Sequence, residues 1–403
     1  MKHKFFLLLI SILLSCSKET KEPKLGNYRA EIITKDGSKL PFKFKLFKKS
    51  DQLLMEIEND AETLTYNDIT FKNDSIKIIM PPYDAVIIAK IDEESLEGRY
   101  LKEDSGKDAE FSAKISDKPK FESDEKPNIL VSGKYKTVFR PNNPYPGLGI
   151  FEQKGNEISG TFRKNTGDTR YLSGIVFGDS ILLSTFDGAH PYLIKAVQKE
   201  DTIHGNFYYY NSSITKFWMI KDENYELANS KSLTKLNDGV ESISFSFKDS
   251  NGNFVSLNDE QFKNKVVVVQ IMGTWCPNCL DETKFFLSYI KENPTTDLAF
   301  VGLSFEGAKT EKQAFNRINK MIEKFNIPYP ILLAQYGNTN TKIAQEKLPM
   351  LSEIKSYPTT IIIDKEGKVN SIHTGFNGPA TGQAYEKFKV EFDEEIKKLL
   401  KEK

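Results

Sequence analysis

Val266 to Phe286 reads VVVVQIMGTWCPNCLDETKFF, and the fold turns on this stretch. It opens on an apolar, β-branched run from Val266 to Ile271. A run that short and that apolar reads as a strand buried on both faces, as in the middle of an α/β sheet. Gly273 and Thr274 break the run, and Trp275, Cys276, Pro277, Asn278 and Cys279 follow. From Leu280 to Ile290 the pattern turns helical, with Phe285, Phe286, Tyr289 and Ile290 on one side. The Cys-x-x-Cys therefore sits where a strand hands over to a helix.

That placement implies chemistry. Cys276 falls at a helix N-terminus, where unpaired N–H groups and the positive end of the dipole stabilise a thiolate. Thiol pKa values at such sites fall from about 8.5 to roughly 3.5–7.5, and the thiolate is the nucleophile of disulfide exchange. Cys279 lies one helical turn on, close enough to close a disulfide with Cys276. Pro277 suits the first turn, where its missing N–H has no partner to lose. A zinc site needs two more ligands than this pair supplies. The chain has three cysteines, and its histidines (His3, His190, His204 and His373) show no paired spacing. A redox dithiol without metal is the expectation.

The motif GTWCPNC, followed by Leu280-Asp281-Glu282 and a helix, resembles the thioredoxin superfamily, and best its TlpA/ResA-like branch of membrane-tethered thiol–disulfide oxidoreductases. A second motif carries the same resemblance: Ser356-Tyr357-Pro358-Thr359-Thr360, the apolar run Ile361 to Ile363, then Asp364-Lys365-Glu366-Gly367. The likeness covers Ser242 to the C-terminus. It implies an α/β thioredoxin-like domain with a redox-active Cys276–Cys279 disulfide and a cis Tyr357–Pro358 bond facing it, followed by Thr359. It places Trp275 at the site's surface and Glu282 where it could exchange a proton with Cys279; a solvated first-turn acid is the alternative reading of Glu282. Gln270 stands where thioredoxins proper carry a buried acid, which leaves the proton path to Cys279 open. No cofactor is implied. The implied partners are proteins with disulfides or thiols and an upstream membrane electron donor. Pro277-Asn278 is neither the Gly-Pro of reducing thioredoxins nor the Pro-His of oxidising DsbA proteins; the branch mostly reduces, so reduction is favoured over dithiol oxidation. A peroxiredoxin is disfavoured by Trp275 and the second cysteine.

Around this domain the chain is balanced, with 56 basic and 56 acidic residues among 403, which argues against a general nucleic-acid binder. Lys2, His3 and Lys4 precede the apolar stretch Phe5 to Leu14, too short to anchor as a spanning helix. Leu13-Leu14-Ser15-Cys16 resembles a bacterial lipobox. The expectation is a signal peptide over 1–15, lipidation of Cys16, a polar tether to residue 24, and a membrane-anchored protein of the cell envelope facing the periplasm. A secretory signal cleaved elsewhere is the alternative.

Residues 25–225 change texture to short alternating segments between turn signals, which reads as all-β. An internal repeat runs through them at an offset near 105 to 107 residues. Gly26-Asn27-Tyr28 matches Gly133-Lys134-Tyr135, and Ser95 to Tyr100 matches Thr202 to Phe207. Two related β modules follow, over 25–116 and 129–225, forming a duplicated sandwich or half-barrel, either as two units or closed together as one barrel. Residues 226–240 read as a linker and 241–403 as the thioredoxin-like domain. Asp187 and His190 on a turn, with the aromatic residues Phe207 to Tyr210, Phe217 and Trp218, suggest either a docking groove or an ordinary β core. A lipid-anchored binding protein whose β modules dock a partner is thus the non-enzyme alternative.

Overall fold

Strict alternation of buried and exposed positions builds the N-terminal region, as in Gln52–Asn59, where every second side chain turns inward. The computed structural model describes residues 21–402 apart from 35, 103–106 and 210–212, so the expected signal segment and Cys16 lie outside the described residues. The first module holds β1 (Gly26–Ile33), β2 (Lys39–Lys49), β3 (Gln52–Asn59), β4 (Glu62–Tyr66), β5 (Asp68–Lys72), β6 (Ser75–Ile79), β7 (Ala85–Ile91), β8 (Ser95–Lys102) and β9 (Lys107–Ile115). They form one antiparallel sheet in the order β4-β3-β2-β1-β9-β8-β7-β6-β5. Its end strands β4 and β5 are joined through Asn67 alone, so the sheet must roll round until its ends meet.

The second module repeats this strand for strand: β10 (Gly133–Phe139), β11 (Tyr145–Lys154), β12 (Glu157–Lys164), β13 (Gly167–Asp168), β14 (Leu172–Phe177), β15 (Ser180–Thr185), β16 (Tyr192–Lys199), β17 (Thr202–Tyr209) and β18 (Ile214–Lys221). Here β10 pairs with β18, and β11 with β12, closing a barrel through β14 to β17. The short β13 stays outside this ring, paired only with the end of β12. Of the arrangements the repeat left open, the structure has two units, and the sandwich or half-barrel is corrected: each module rolls up by itself. In the second module hydrogen bonding runs all round the ring, whereas in the first the end strands β4 and β5 come together without pairing.

Phe207 and Phe217 fill the second barrel together with Phe139, Phe151 and Phe162. Tyr208 and Trp218 are only partly buried, and Tyr210 lies outside the described residues. The groove reading of Asp187 and His190 is also corrected. The Phe186–Ala189 turn plugs the first barrel: Phe186 packs on Phe42 and Tyr100, and its backbone exchanges hydrogen bonds with the Asn59 amide. The Asp187 carboxylate accepts the Ala189 and His190 N–H groups, which fixes the turn.

The C-terminal sheet runs β20-β19-β23-β22-β21-β24-β25, from β19 (Ser246–Lys248), β20 (Phe254–Ser256), β21 (Val266–Met272), β22 (Leu298–Phe305), β23 (Ile331–Gln335), β24 (Thr359–Ile363) and β25 (Val369–Thr374). β21, β22 and β23 are parallel, and β24 is antiparallel to β21. The helices are α1 (Pro277–Glu292), α2 (Glu311–Phe325), α3 (Thr341–Lys347) and α4 (Gln383–Lys401). All seven residues of β21 are buried, as its apolar run requires. The stretch 226–240 is not a free tether. Leu236 bridges to Leu351, Thr234 accepts from the Thr374 hydroxyl at 2.9 Å, and Lys231 pairs with Glu395 at 2.8 Å. The apolar core of the first barrel is continuous with that of the C-terminal domain, while the second barrel keeps its own.

Candidate active site

β21 delivers the chain to Gly273–Trp275, and α1 starts immediately after. Cys276 is the N-cap of α1, in extended conformation, and its Sγ accepts the Cys279 N–H at 3.2 Å. Pro277 occupies the first helical position. The two cysteines are joined as a disulfide with their Cα atoms 5.3 Å apart. Cys276 is 4% exposed and Cys279 fully buried, so both are covered, the first at the helix start and the second inside its first turn. When the pair is reduced, the helix-terminal N–H groups that reach Cys276 favour its thiolate.

Glu282 is fully buried one turn beyond Cys279. Its carboxylate accepts from Gln270 Nε2 at 2.9 Å and from the Thr360 hydroxyl at 2.7 Å. Gln270 Nε2 also donates to the Cys279 carbonyl, and Gln270 Oε1 accepts from the Thr283 hydroxyl. Burial pushes the Glu282 carboxyl up to about 7, against the lowering effect of its two donors. The solvated-acid reading of Glu282 is therefore corrected: it is a buried acid poised near neutrality, joined to the Cys279 carbonyl through Gln270. Gln270 supplies the link from the strand to this acid.

Tyr357–Pro358 is cis. The Thr359 hydroxyl donates to the Ser356 carbonyl at 2.8 Å and holds this loop from within. The Gly375 N–H donates to the Pro358 carbonyl at 2.8 Å. Trp275 meets the Tyr357 ring edge-on at 5.4 Å and donates its indole N–H to the Phe305 carbonyl. Behind Trp275 stands Glu306, fully buried, which accepts from the Thr274 N–H and hydroxyl and from the Ser304 hydroxyl. Burial raises its carboxyl. Glu306 thus ties the loop before Cys276 to the end of β22.

A second-barrel segment reaches the same place. The Lys164–Arg170 hairpin lies on Asn278, Ser356 and the turn after β25. Thr166 O accepts from the Ser356 hydroxyl, Asp168 O accepts from Asn278 Nδ2 at 3.4 Å, and the Asp168 carboxylate accepts the Gly378 N–H. A Cβ on Gly167 would stand 1.9 Å from Asn278 Nδ2, and one on Gly375 would stand 2.7 Å from Asn165 O. Both backbones have positive φ, so glycine permits the approach twice over. The buried Arg170 guanidinium pairs with Asp281 on α1 and with Glu62 on β4. Arg317 on α2 likewise pairs with Asp84 of the first barrel.

The structure thus gathers Trp275, Cys276, Pro277, Cys279, Glu282, Tyr357, Pro358 and Thr359 around one disulfide. Sequence reasoning named Thr360 only within the loop motif, without its bond to Glu282, and missed Thr283, Glu306 and the hairpin. Thr360 follows Pro358 by two residues and could have been found from strand alternation; Glu306 and the hairpin carry no local signal. Among the described residues, no group of three or more His, Cys, Asp or Glu is arranged to hold a metal ion. A strand-to-helix dithiol beside a cis-proline loop, on a mixed sheet, defines a thioredoxin-fold thiol–disulfide oxidoreductase.

Comparison with known proteins agrees. The Redoxin family model matches residues 236–387. Thioredoxin-like protein YneN of Bacillus subtilis is 30% identical over 147 residues, covering 36% of this chain and 76% of that protein. Thiol-disulfide oxidoreductase ResA of the same organism is 23% identical over 140 residues, covering 35% of this chain and 69% of ResA. A solved thiol:disulfide interchange protein from Chlorobium tepidum is 21% identical and covers 40% of this chain and 96% of its own, with a TM-score of 0.30. The chain belongs to the thioredoxin superfamily, in its ResA/TlpA-like branch. The matched residues 236–387 leave both barrels outside the family model.

Proposed function

We propose that this protein reduces protein disulfides in the cell envelope through Cys276 and Cys279. The observation that carries this reading is the unlike placing of the two cysteines: Cys276 caps α1, whereas Cys279 lies inside its first turn, its carbonyl bonded to the Gln270 amide that also donates to Glu282. The Cys276 thiolate attacks one sulfur of a substrate disulfide; that bond breaks, and the departing sulfur leaves as a thiolate that takes up a proton. Cys279, having lost its proton towards Glu282, then attacks the Cys276 sulfur. The substrate's second sulfur leaves with both electrons of the broken bond, and the enzyme is left as the Cys276–Cys279 disulfide. A donor dithiol must then restore the reduced pair, which fits an upstream membrane donor. Cys16 lipidation would hold the enzyme at the membrane; a Cys16→Ala variant should move activity out of the membrane fraction, and unchanged retention would rule the lipid anchor out.

The test uses Cys279→Ser. It should accumulate mixed disulfides with envelope proteins through Cys276, while Cys276→Ser should trap none. Equal trapping by both variants would defeat the assignment. Equilibration of the wild-type pair with glutathione buffers sets the direction: a potential near about −270 mV supports reduction, and one near about −120 mV supports oxidation.

A further inference from the structure

Any protein disulfide that reacts here must bring a sulfur against Cys276 Sγ, and its flanking chain must cross the surface around that atom. That surface consists of the start of α1, the Ser356–Pro358 loop and the turn after β25. It is already covered. The Lys164–Arg170 hairpin contacts Asn278, Ser356, Gly375 and Gly378, and Cys276 is left 4% exposed. The contacts are of the kind a visiting peptide would make: two backbone carbonyls accept from side chains, and a carboxylate accepts a backbone N–H.

We propose that this hairpin is a built-in occupant of the substrate seat, and that exchange with a protein disulfide requires its displacement. The inference rests on the reading of Cys276 as the attacking thiol. The fold allows such a movement. β13 pairs only with Arg163 and Lys164 at the end of β12, and the barrel closes past it through β12 and β14. The Thr166–Asp168 tip can leave without opening the ring, pivoting where Thr169 bonds Phe162 of β12. Its hold is concentrated at the C-terminal side, where Arg170 grips Asp281 and Glu62. The seat therefore joins all three modules, and a partner that loosens either barrel's grip uncovers the dithiol. The occupant also indicates what the seat accepts: a segment with a small residue opposite Asn278, as at Gly167, and an acidic side chain for the Gly378 N–H, as at Asp168.

The test uses the reduced full-length chain and its Gly167→Ala variant, whose added methyl meets Asn278 and the Phe376 backbone. Iodoacetamide labelling of Cys276, followed by mass spectrometry, should be about tenfold or more faster in the variant, as a shifted opening equilibrium requires. Insulin reduction should rise with it. Equal labelling rates would overturn the proposal, as would faster labelling accompanied by slower insulin reduction, which would make the hairpin a substrate-holding wall. Faster labelling with no insulin reduction by either protein would support the occluding hairpin and sink the reductase reading. If Gly167→Ala does not fold, Asp168→Ala, which loses the contact to Gly378, serves the same comparison. In the wild-type chain, amide hydrogens of Thr166–Arg170 should exchange faster than those of β12 and β14; equal protection would overturn the proposal independently.

Discussion

Arg170 donates through Nη1 to Asp281 at 2.6 Å, two residues beyond Cys279, while its other nitrogens hold Glu62 of the first barrel. One buried guanidinium so joins the second barrel to β4 of the first and to α1 of the redox domain. Its planar fork is what lets it serve two carboxylates at once. Arg170→Ala would strand both acids, and losing one partner of a buried pair costs about 3–5 kcal/mol. We expect a lower denaturation midpoint of that size in chemical unfolding, with Arg170→Lys recovering only part of it. A loss under about 1 kcal/mol would place the clamp with exposed surface pairs.

Glu282 gives a pH dependence of definite sign. Burial raises its folded pKa from 4.5 to about 7. Between those values the folded chain keeps a proton that the unfolded chain has lost, so this group's contribution is greatest below about pH 4.5 and is lost as pH rises to about 7. The size is on the order of 3 kcal/mol. Glu282→Gln should flatten that part of the stability profile, measured by denaturant titration against pH. It should also remove the inflection near neutrality from the rate at which Cys279 resolves a mixed disulfide. A profile with the slope intact would assign it to another group.

Glu306 is the carboxylate that holds the loop ahead of Cys276. Glu306→Ala leaves the Thr274 N–H and two hydroxyls without their acceptor, each at about 1–3 kcal/mol. We expect a large loss of stability together with a fall in disulfide-exchange rate, because Trp275 and Cys276 follow directly on Thr274. Glu306→Gln keeps an acceptor for some of these donors and should retain more of both. Equal behaviour of the two variants would mean that the charge itself is what matters.

Phe186 lies in the first barrel although it belongs to the second. Phe186→Ala should cost about 3–5 kcal/mol. Because the first barrel's core is continuous with the redox domain's, calorimetry of the wild type should show these two melting together. The variant should separate the second barrel's transition from theirs. Three separate transitions in the wild type would contradict the shared core.

How far this was legible in the sequence depends on distance along the chain. The run Val266 to Ile271, the Cys-x-x-Cys and Ser356 to Thr360 declared a strand, a helix start and a facing loop, because each is a local pattern with one physical reading. The repeat was equally plain, and its strands match one for one. Closure was not, because pairing β10 with β18 depends on the tilt and stagger of the whole sheet. Contacts such as Arg170 with Glu62, 108 residues apart, and with Asp281, 111 apart, leave no periodicity to find. The acid near Cys279 was visible as Glu282, but its burial, and so its raised pKa, came only with Gln270 and Thr360 packed against it.

The ring of the second barrel has a consequence for the company this protein keeps. Each of its eight ring strands, β10 to β12 and β14 to β18, has a neighbour on both sides. Among the described residues, the ring therefore offers no bare edge on which another chain could add itself. On the proposed reading, a protein substrate that arrives partly unfolded brings loose strands that seek a template. A ring that cannot template them can stand beside the dithiol without collecting strands, and a partner that recognises it must do so by means other than strand addition.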